Sequence, residues 1–520
     1  MRRKSIVASA LILTAAGIIT RLLGFVYRIY MSNILGAEGM GLYQLIMPVY
    51  ALAWSIACSG FNTAISKLVA AERARGEYGN MGRILKQSIL VTTSIGLALS
   101  AALYFFAAPV ADLFFKDQRA TLSLRILAAA FPFMAAGTCI RGFFFGLQET
   151  MVPAINQVLE QCVRMVVIYI LAGMFIHRGL EYACAVAVIG IVCEEIVSFI
   201  YILVSYRIFK SKNKLTKRPT LNAGACLSMI MAMAIPLTAN RVTGSLLATF
   251  ENILIPQRLQ AYGMTSSQAM SVFGQISGMA MPLIYFPTAL LTSLSVTLVP
   301  AVSEAAAIGR LGAMRQTVSK SVLFAAVAGI GAAGMFLAFP NELGIAIYNQ
   351  PIGDMLLILG VMCPFLYIQI IFSGVLNGLG HQVFIFKVSL VTSLINILVI
   401  YFLVPLRGIN AFILGWFFSL IVGCAFEIKK IYESINITLD FSNWMLKPAL
   451  SAAVSGILMN YVGTKKLIPL FGLKLGLVIS VGGLLAIYCI LVYVTGAISK
   501  EDLGRFRKKP QASKQTAAPA

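Results

Sequence analysis

Residues 5–33 read SIVASALILTAAGIITRLLGFVYRIYMSN, and only two side chains in the run, Arg21 and Arg28, are charged. A helix needs about 20 mainly apolar residues to cross the hydrocarbon core of a bilayer, so this stretch is long enough to span. Thirteen similar windows follow, at 40–70, 84–108, 121–145, 152–175, 181–206, 222–250, 271–303, 317–339, 354–378, 382–404, 409–430, 446–463 and 470–497. None shows the two-residue alternation of a membrane barrel. Composition agrees: 59% of the 520 residues are hydrophobic and 12% are charged, about half the charge of an average soluble domain. An ordinary soluble enzyme, a disordered chain and a secreted disulfide scaffold are excluded. The reading is an all-α membrane protein with 14 transmembrane helices.

The charges orient these helices. Basic groups occur at Arg2, Arg3 and Lys4; at Arg73, Arg75, Arg83 and Lys86; and at Arg207, Lys210, Lys212, Lys214, Lys217 and Arg218. They recur at Arg310, Arg315 and Lys320, at Lys429 and Lys430, and through the tail from Lys500 to Lys514. With fourteen spans all six groups fall on one side, which the positive-inside rule makes cytoplasmic. The chain is therefore expected in the cytoplasmic membrane with both termini inside and the first span retained. Lys465, Lys466 and Lys474 are the exception and fall outside. The net charge of +22 is expected to face anionic membrane lipids. The short basic loops carry no nucleic-acid-binding element, so no nucleic-acid partner is expected.

The sequence also repeats. Arg21-Leu-Leu-Gly24 matches Arg241-Val-Thr-Gly244, Asn33-Ile-Leu35 matches Asn252-Ile-Leu254, and Met47-Pro48 matches Met281-Pro282. Phe131-Pro132-Phe133 matches Cys363-Pro364-Phe365, and Gly142-x-x-x-Gly146-Leu147 matches Gly374-x-x-x-Gly378-Leu379. The growing offset places about fifteen extra residues near 255–269. Six spans return the chain to its starting side, so the two copies are parallel repeats. The expected organisation is two pseudo-symmetric six-helix lobes, 1–209 and 221–435, joined by a basic linker at 210–220. Helices 13 and 14 occupy 436–499, and a basic cytoplasmic tail occupies 500–520. Two facing lobes that rock about a cavity give alternating access.

The short loops leave no room for a catalytic domain, and no P-loop is present. Gly329-Ile-Gly331-Ala-Ala-Gly334 lies inside a span, where small residues serve close helix packing rather than a dinucleotide. The nine cysteines are scattered without a CxxC pair, and His177 and His381 are far apart. No metal, no cofactor and no enzymatic activity are expected. Intramembrane charges are the informative residues, because each is costly unless paired or hydrated. Arg21 and Arg28 are seven residues apart on one helix face, and Arg241 is the repeat equivalent of Arg21. Converging on one cavity, the three would form an anion site, since a guanidinium fork can grip phosphate oxygens. Gln157, Glu160, Gln161 and Arg164 form a second polar face, on which Glu160 and Arg164 can pair. That pair is either structural or a gating and coupling element. Glu194 and Glu195 are adjacent, so they are expected to point in different directions and to serve structural hydrogen bonds. Lys67 and Glu304, near cytoplasmic helix ends, are solvated or gate-pairing.

Thr20-Arg21-Leu-Leu-Gly-Phe25, Gly41-Leu-Tyr43, Ala64-Ile-Ser-Lys-Leu-Val69, Arg141-Gly142 with Gly146, and Gln157-Val-Leu-Glu-Gln161 with Arg164 resemble the stage V sporulation protein B family. This is the polysaccharide-exporter branch of the multidrug/oligosaccharidyl-lipid/polysaccharide flippase superfamily, related to lipid II flippases. The resemblance implies a cavity lined by spans 1, 2, 7 and 8. It implies a flippase for undecaprenyl-diphosphate-linked glycan, with lipid II for spore-cortex peptidoglycan as the cargo of this branch. Cell-wall synthesis proteins are the implied partners. The chain departs from the related lipid II flippases at Tyr27, at Ala53 and Trp54, and at Ile284 and Tyr285. Coupling to the membrane potential or an ion gradient would drive transport. The alternatives are a flippase for another lipid-linked polysaccharide and a cation-coupled multidrug exporter; a membrane glycosyltransferase or polymerase would need acidic or metal-binding outer loops, which are not evident.

Overall fold

A computed structural model describes residues 6–212, 219–437 and 440–497, and the described chain is helical with no strand. Arg2, Arg3 and Lys4, linker residues 213–218 and the tail from 498 lie outside these residues. The helices are α1 Ile6–Trp54, α2 Gly60–Arg75, α3 Tyr78–Pro109, α4 Ala120–Ala128, α5 Phe131–Gly146, α6 Met151–Phe175, α7 Leu180–Lys212, α8 Ala223–Ala261, α9 Ser266–Phe273 and α10 Met281–Tyr285. They continue with α11 Thr288–Ala307, α12 Leu311–Ala338, α13 Pro340–Tyr348, α14 Gly353–Gly378, α15 Gln382–Phe402, α16 Val404–Arg407, α17 Ile409–Ile435, α18 Lys447–Val462 and α19 Ile468–Val494.

Among the described residues eleven helices are long and apolar enough to cross a membrane, or 12 if the bent pair α4 and α5 is one span. The windows 5–33 and 40–70 are two helices that meet without a loop at Gly36, which adopts φ 65° inside the continuous stretch Ile12–Arg75. The last two windows meet in the same way within Ser442–Val494, at Gly472 with φ 77°. A side chain disfavours this left-handed backbone, which is why glycine stands at both breaks. Other boundaries shift. The window 271–303 is not one helix. It is divided by the wide turn Gly274–Ala280 and again between α10 and α11, beside Pro282 and Pro287. The surplus residues near 255–269 lengthen α8 to 39 residues, about 58 Å at 1.5 Å per residue, and form α9 with its Thr265 capping box.

The chain divides into two compact units. Unit 1 comprises Met1–Ala289, Tyr348–Gln350 and Ser389–Ser419; unit 2 comprises Leu290–Ile347, Pro351–Val388 and Leu420–Ala520. Within unit 1, a Cβ on Gly142 would meet the Asn62 carbonyl at 2.8 Å, one on Gly146 the Ser66 carbonyl at 2.7 Å, and one on Gly96 the Phe131 carbonyl at 2.9 Å. Within unit 2, Gly374, Gly378 and Gly329 stand in the same relation to Ser295, Val299 and Cys363, at 2.9, 2.9 and 3.0 Å. Every member of the second set lies 232 or 233 residues after its counterpart. The same backbone-to-backbone crossings are thus built twice, by glycines that let helices approach.

Asn80 anchors the start of α8. Its side-chain oxygen accepts from the Thr220 and Leu221 amides at 2.9 and 3.0 Å, and its nitrogen donates to Glu72 at 2.7 Å and to Thr220 Oγ1 at 2.9 Å. Arg83 donates to the Leu221 carbonyl.

Candidate functional site

Unit 1 holds a cavity of about 560 Å³ bordered by α1, the turn Ser55–Ser59, α5, α6, α7 and α8. Close packing builds its walls. Gly60 admits the Ala234 carbonyl and Thr238, so the first turn of α2 lies against α8. Five residues earlier, Ser55 Oγ lies 2.6 Å from Ser245 Oγ. Arg241 enters the cavity between these two crossings, and Gly244, one turn on, leaves open space beside it. Across the cavity, Gly190 on α7 accepts the Ile168 side chain and the Arg164 stem of α6. That approach sets the Arg164 guanidinium against Glu194, one turn beyond Gly190.

Three arginines and three glutamates face this space: Arg141, Arg164, Arg241, Glu160, Glu194 and Glu195. Glu160 and Arg164 do not pair with each other, contrary to the expectation from their spacing. Glu160 Oε1 accepts from Arg141 Nη1 at 2.6 Å, from Ser198 Oγ at 2.6 Å and from Asn156 Nδ2 at 2.8 Å. Arg164 grips Glu194 with two donors, Nε at 2.5 Å and Nη2, and its guanidinium lies 5.8 Å from the Tyr27 ring centre. A neighbouring-turn ion pair contributes only about 0.2–0.5 kcal/mol. A two-pronged guanidinium–carboxylate contact away from water is stronger, so the interhelical partners win. Glu194 and Glu195 both border the cavity and both are buried, at 2% and 5% exposure, yet they take different partners. Adjacent helical residues are about 100° apart, an angle that the cavity subtends. Tyr50 Oη donates to Glu195 at 2.5 Å.

Arg241 is exposed to the cavity and makes no ion pair among the described residues. It is the member of the expected arginine trio that lines this space. Arg21 and Arg28 are not among its lining residues. Arg21 stands on α1 where Thr20 Oγ1 accepts from Gln157 of α6 at 3.2 Å. Arg28 is half-buried and lies near the buried Tyr348. Lys67 on α2 and Glu304 on α11 are exposed and lie elsewhere. Reading single helices missed Arg141 and Tyr50 as site residues. Arg141 was legible as an intramembrane charge by the rule that selects Arg21; Tyr50 carried no such signal.

A second polar group lies elsewhere in unit 1. Ser393 and Asn396 of α15 reach the Glu251 carboxylate of α8. Glu251 Oε1 and Asn396 Oδ1 are buried with no hydrogen-bond partner among the described residues. Among the described residues no group of three or more His, Cys, Asp or Glu is placed to hold a metal ion.

The family model for polysaccharide biosynthesis protein matches residues 6–306, which include every lining residue of this cavity. The chain belongs to this family. This polysaccharide biosynthesis family member is 29% identical to stage V sporulation protein B of Bacillus subtilis (strain 168), over 97% of its own length and 98% of the relative. It is 26% identical to the lipid II flippase MurJ of the same organism, over 65% of this chain and 64% of that one. A solved structure of lipid II flippase MurJ in an inward closed conformation shares the fold, with a TM-score of 0.67 and 15% identity over 93% of this chain and 98% of that one. The protein is a multi-pass membrane protein.

Proposed function

We propose that the protein is a flippase, not an enzyme, that carries polyprenyl-diphosphate-linked glycan across the cytoplasmic membrane, with lipid II for spore-cortex peptidoglycan as cargo. The observation that carries this reading is Arg241, an arginine open to a membrane-embedded cavity whose other two arginines have carboxylate partners. A diphosphate satisfies such a guanidinium bidentately. The relatives named stage V sporulation protein B and lipid II flippase support the cargo class.

The topology that goes with this reading has both termini cytoplasmic and fourteen spans, reached by treating the breaks at Gly36 and Gly472 as reversals and α4 with α5 as one span. The lobes 1–209 and 221–435 are repeats of sequence rather than compact units, since residues 221–289 cluster with 1–209, and the glycine crossings that recur in each half support the repeat. Arg21 and Arg28 are assigned a second anionic contact along α1, outside the cavity proper. Glu160 and Arg164 hold the cavity wall, Lys67 and Glu304 act at cytoplasmic helix ends, and cell-wall synthesis proteins consume the cargo. Moving one elementary charge through 100 mV is worth about 2.3 kcal/mol, so a diphosphate with about two negative charges gains roughly 4–5 kcal/mol moving outward from a negative interior. Glu251, Ser393 and Asn396 are assigned the coupling cation or proton, because buried acceptor oxygens without donors favour a positive ligand.

A second reading is a cation-coupled exporter, favoured by Glu195, which has no ion-pair partner among the described residues. Proteoliposomes decide. Head-group translocation is compared for lipid II, an unrelated undecaprenyl-diphosphate oligosaccharide and a lipophilic cation. Movement of lipid II alone supports the full proposal. Movement of both glycolipids widens the cargo, and movement of the cation alone replaces the proposal with the exporter.

A further inference from the structure

Unit 2 contains an apolar groove of about 910 Å³ between α14 and α18, floored by α12. Its α18 side runs from Phe441 through Met445, Ala449, Ala452 and Gly456 to Asn460 and Thr464, one helix face at steps of three and four residues. Close packing makes the floor: a Cβ on Gly334 of α12 would lie 3.2 Å from Ala452 Cβ. The rims are open, with Val361, Phe441 and Ile457 44%, 68% and 75% exposed. One end differs from the rest. There the helix widens into the turn Gly463–Leu467, which carries Lys465 and Lys466. Lys465 lines the groove, and its Nζ lies 4.6 Å from the Tyr461 ring centre. Neither lysine has an ion pair among the described residues, and both are exposed. These are also two of the three lysines, with Lys474, that depart from the charge rule obeyed by six other basic groups. Nothing in the transport reading uses them.

We infer that this groove is a binding site for an anionic diacyl phospholipid, with an acyl chain along the face of α18 and the phosphate at Lys465 and Lys466. An apolar groove opening sideways into a bilayer fills with chains, since an unfilled one forfeits its dispersion contacts. Two uncompensated lysines and a tyrosine at one end select the head group by charge and mark the interfacial level. Bulk phospholipid is the occupant rather than a prenyl-phosphate intermediate, because the open rims face the lipid present at far higher concentration. The site also gives the exceptional lysines an electrostatic partner in their own leaflet. Only the assignment of that leaflet to the outer face rests on the topology proposed above; binding itself does not.

The test is native mass spectrometry of the purified full-length protein titrated with phosphatidylglycerol, with phosphatidylcholine of the same chains, and with undecaprenyl monophosphate. The wild type should retain phosphatidylglycerol in preference to phosphatidylcholine. Each exposed lysine is worth about fivefold, so Lys465→Gln with Lys466→Gln should weaken phosphatidylglycerol roughly thirtyfold and erase the preference. Ala453→Trp, at an exposed groove position, should displace both phospholipids while leaving the lysines intact. Equal retention of the two phospholipids by the wild type, or an unchanged preference in the lysine variant, would overturn the site. Displacement of phosphatidylglycerol by equimolar undecaprenyl monophosphate would overturn the choice of occupant. Head-group flipping in the same variants is read separately, so failure of the lipid site and failure of the flippase reading are distinguishable.

Discussion

Arg141 and Arg241 border one cavity 100 residues apart, and their substitution by alanine should have opposite consequences. Arg241 is open to the cavity and makes no ion pair among the described residues. Removing it strips no partner, so stability should change by no more than about 0.5 kcal/mol. What goes is the fork that meets the cargo. Two charge-assisted hydrogen bonds at about 1.5 kcal/mol each amount to about 3 kcal/mol, or more than 100-fold in affinity. Arg141 is different. It donates to Glu160 at 2.6 Å and to Thr138 at 3.0 Å, and both members of its ion pair are only about a fifth exposed. Arg141→Ala leaves the Glu160 carboxylate with Asn156 and Ser198 but without its cation. Breaking such a pair from one side costs about 3–5 kcal/mol when buried, and the partial exposure here places the cost near 3. Restoring balance with Glu160→Gln in the Arg141→Ala background should recover much of that loss. The assays are thermal melting of the detergent-solubilised protein and head-group flipping in proteoliposomes. Arg241→Ala should melt like the wild type and flip at the background rate. A normal flipping rate for Arg241→Ala, or a melting loss equal to that of Arg141→Ala, would refute the division of roles.

Tyr50→Phe deletes the donor to the buried Glu195 and should cost about 1–3 kcal/mol, seen as a lower melting temperature; an unchanged one would mean that Glu195 has another partner. Gly142→Val and Gly374→Val each drive a side chain into a neighbouring backbone carbonyl, so both should abolish monodisperse protein on gel filtration. Gly244→Ala, which meets nothing within 4 Å, should leave it intact. Asn80→Ala removes five hydrogen bonds at a site 2% exposed and should cost roughly 2–4 kcal/mol; a melting temperature like the wild type's would show that the anchor before α8 contributes nothing to stability.

The apolar windows and intramembrane charges were legible because their cause is local: lipid cannot satisfy a backbone or a lone charge, whatever the fold. The glycine pairs were legible as well, since Gly142 and Gly374 answer the same backbone constraint twice. Partnership was not. Glu160 and Arg164 share a helix face, yet each takes its partner from another helix, because Gly190 brings α7 close and α5 supplies Arg141. Arg21 and Arg241 match in sequence, yet only Arg241 lines the cavity, since a repeat equates positions within each copy and not the surfaces that later meet. Breaks inside the long helical stretches were hidden for a related reason. Gly36 and Gly472 stand among other glycines, and only their backbone conformation distinguishes them.

By itself, then, the sequence determined the solvent this chain folds in, its helical class and the internal duplication, since each follows from hydrogen-bond satisfaction and period along a single strand of residues. Tertiary structure alone decided which carboxylate neutralises which guanidinium, and so left Arg241 open to the cavity, because that choice depends on distances between helices that no spacing along the chain encodes.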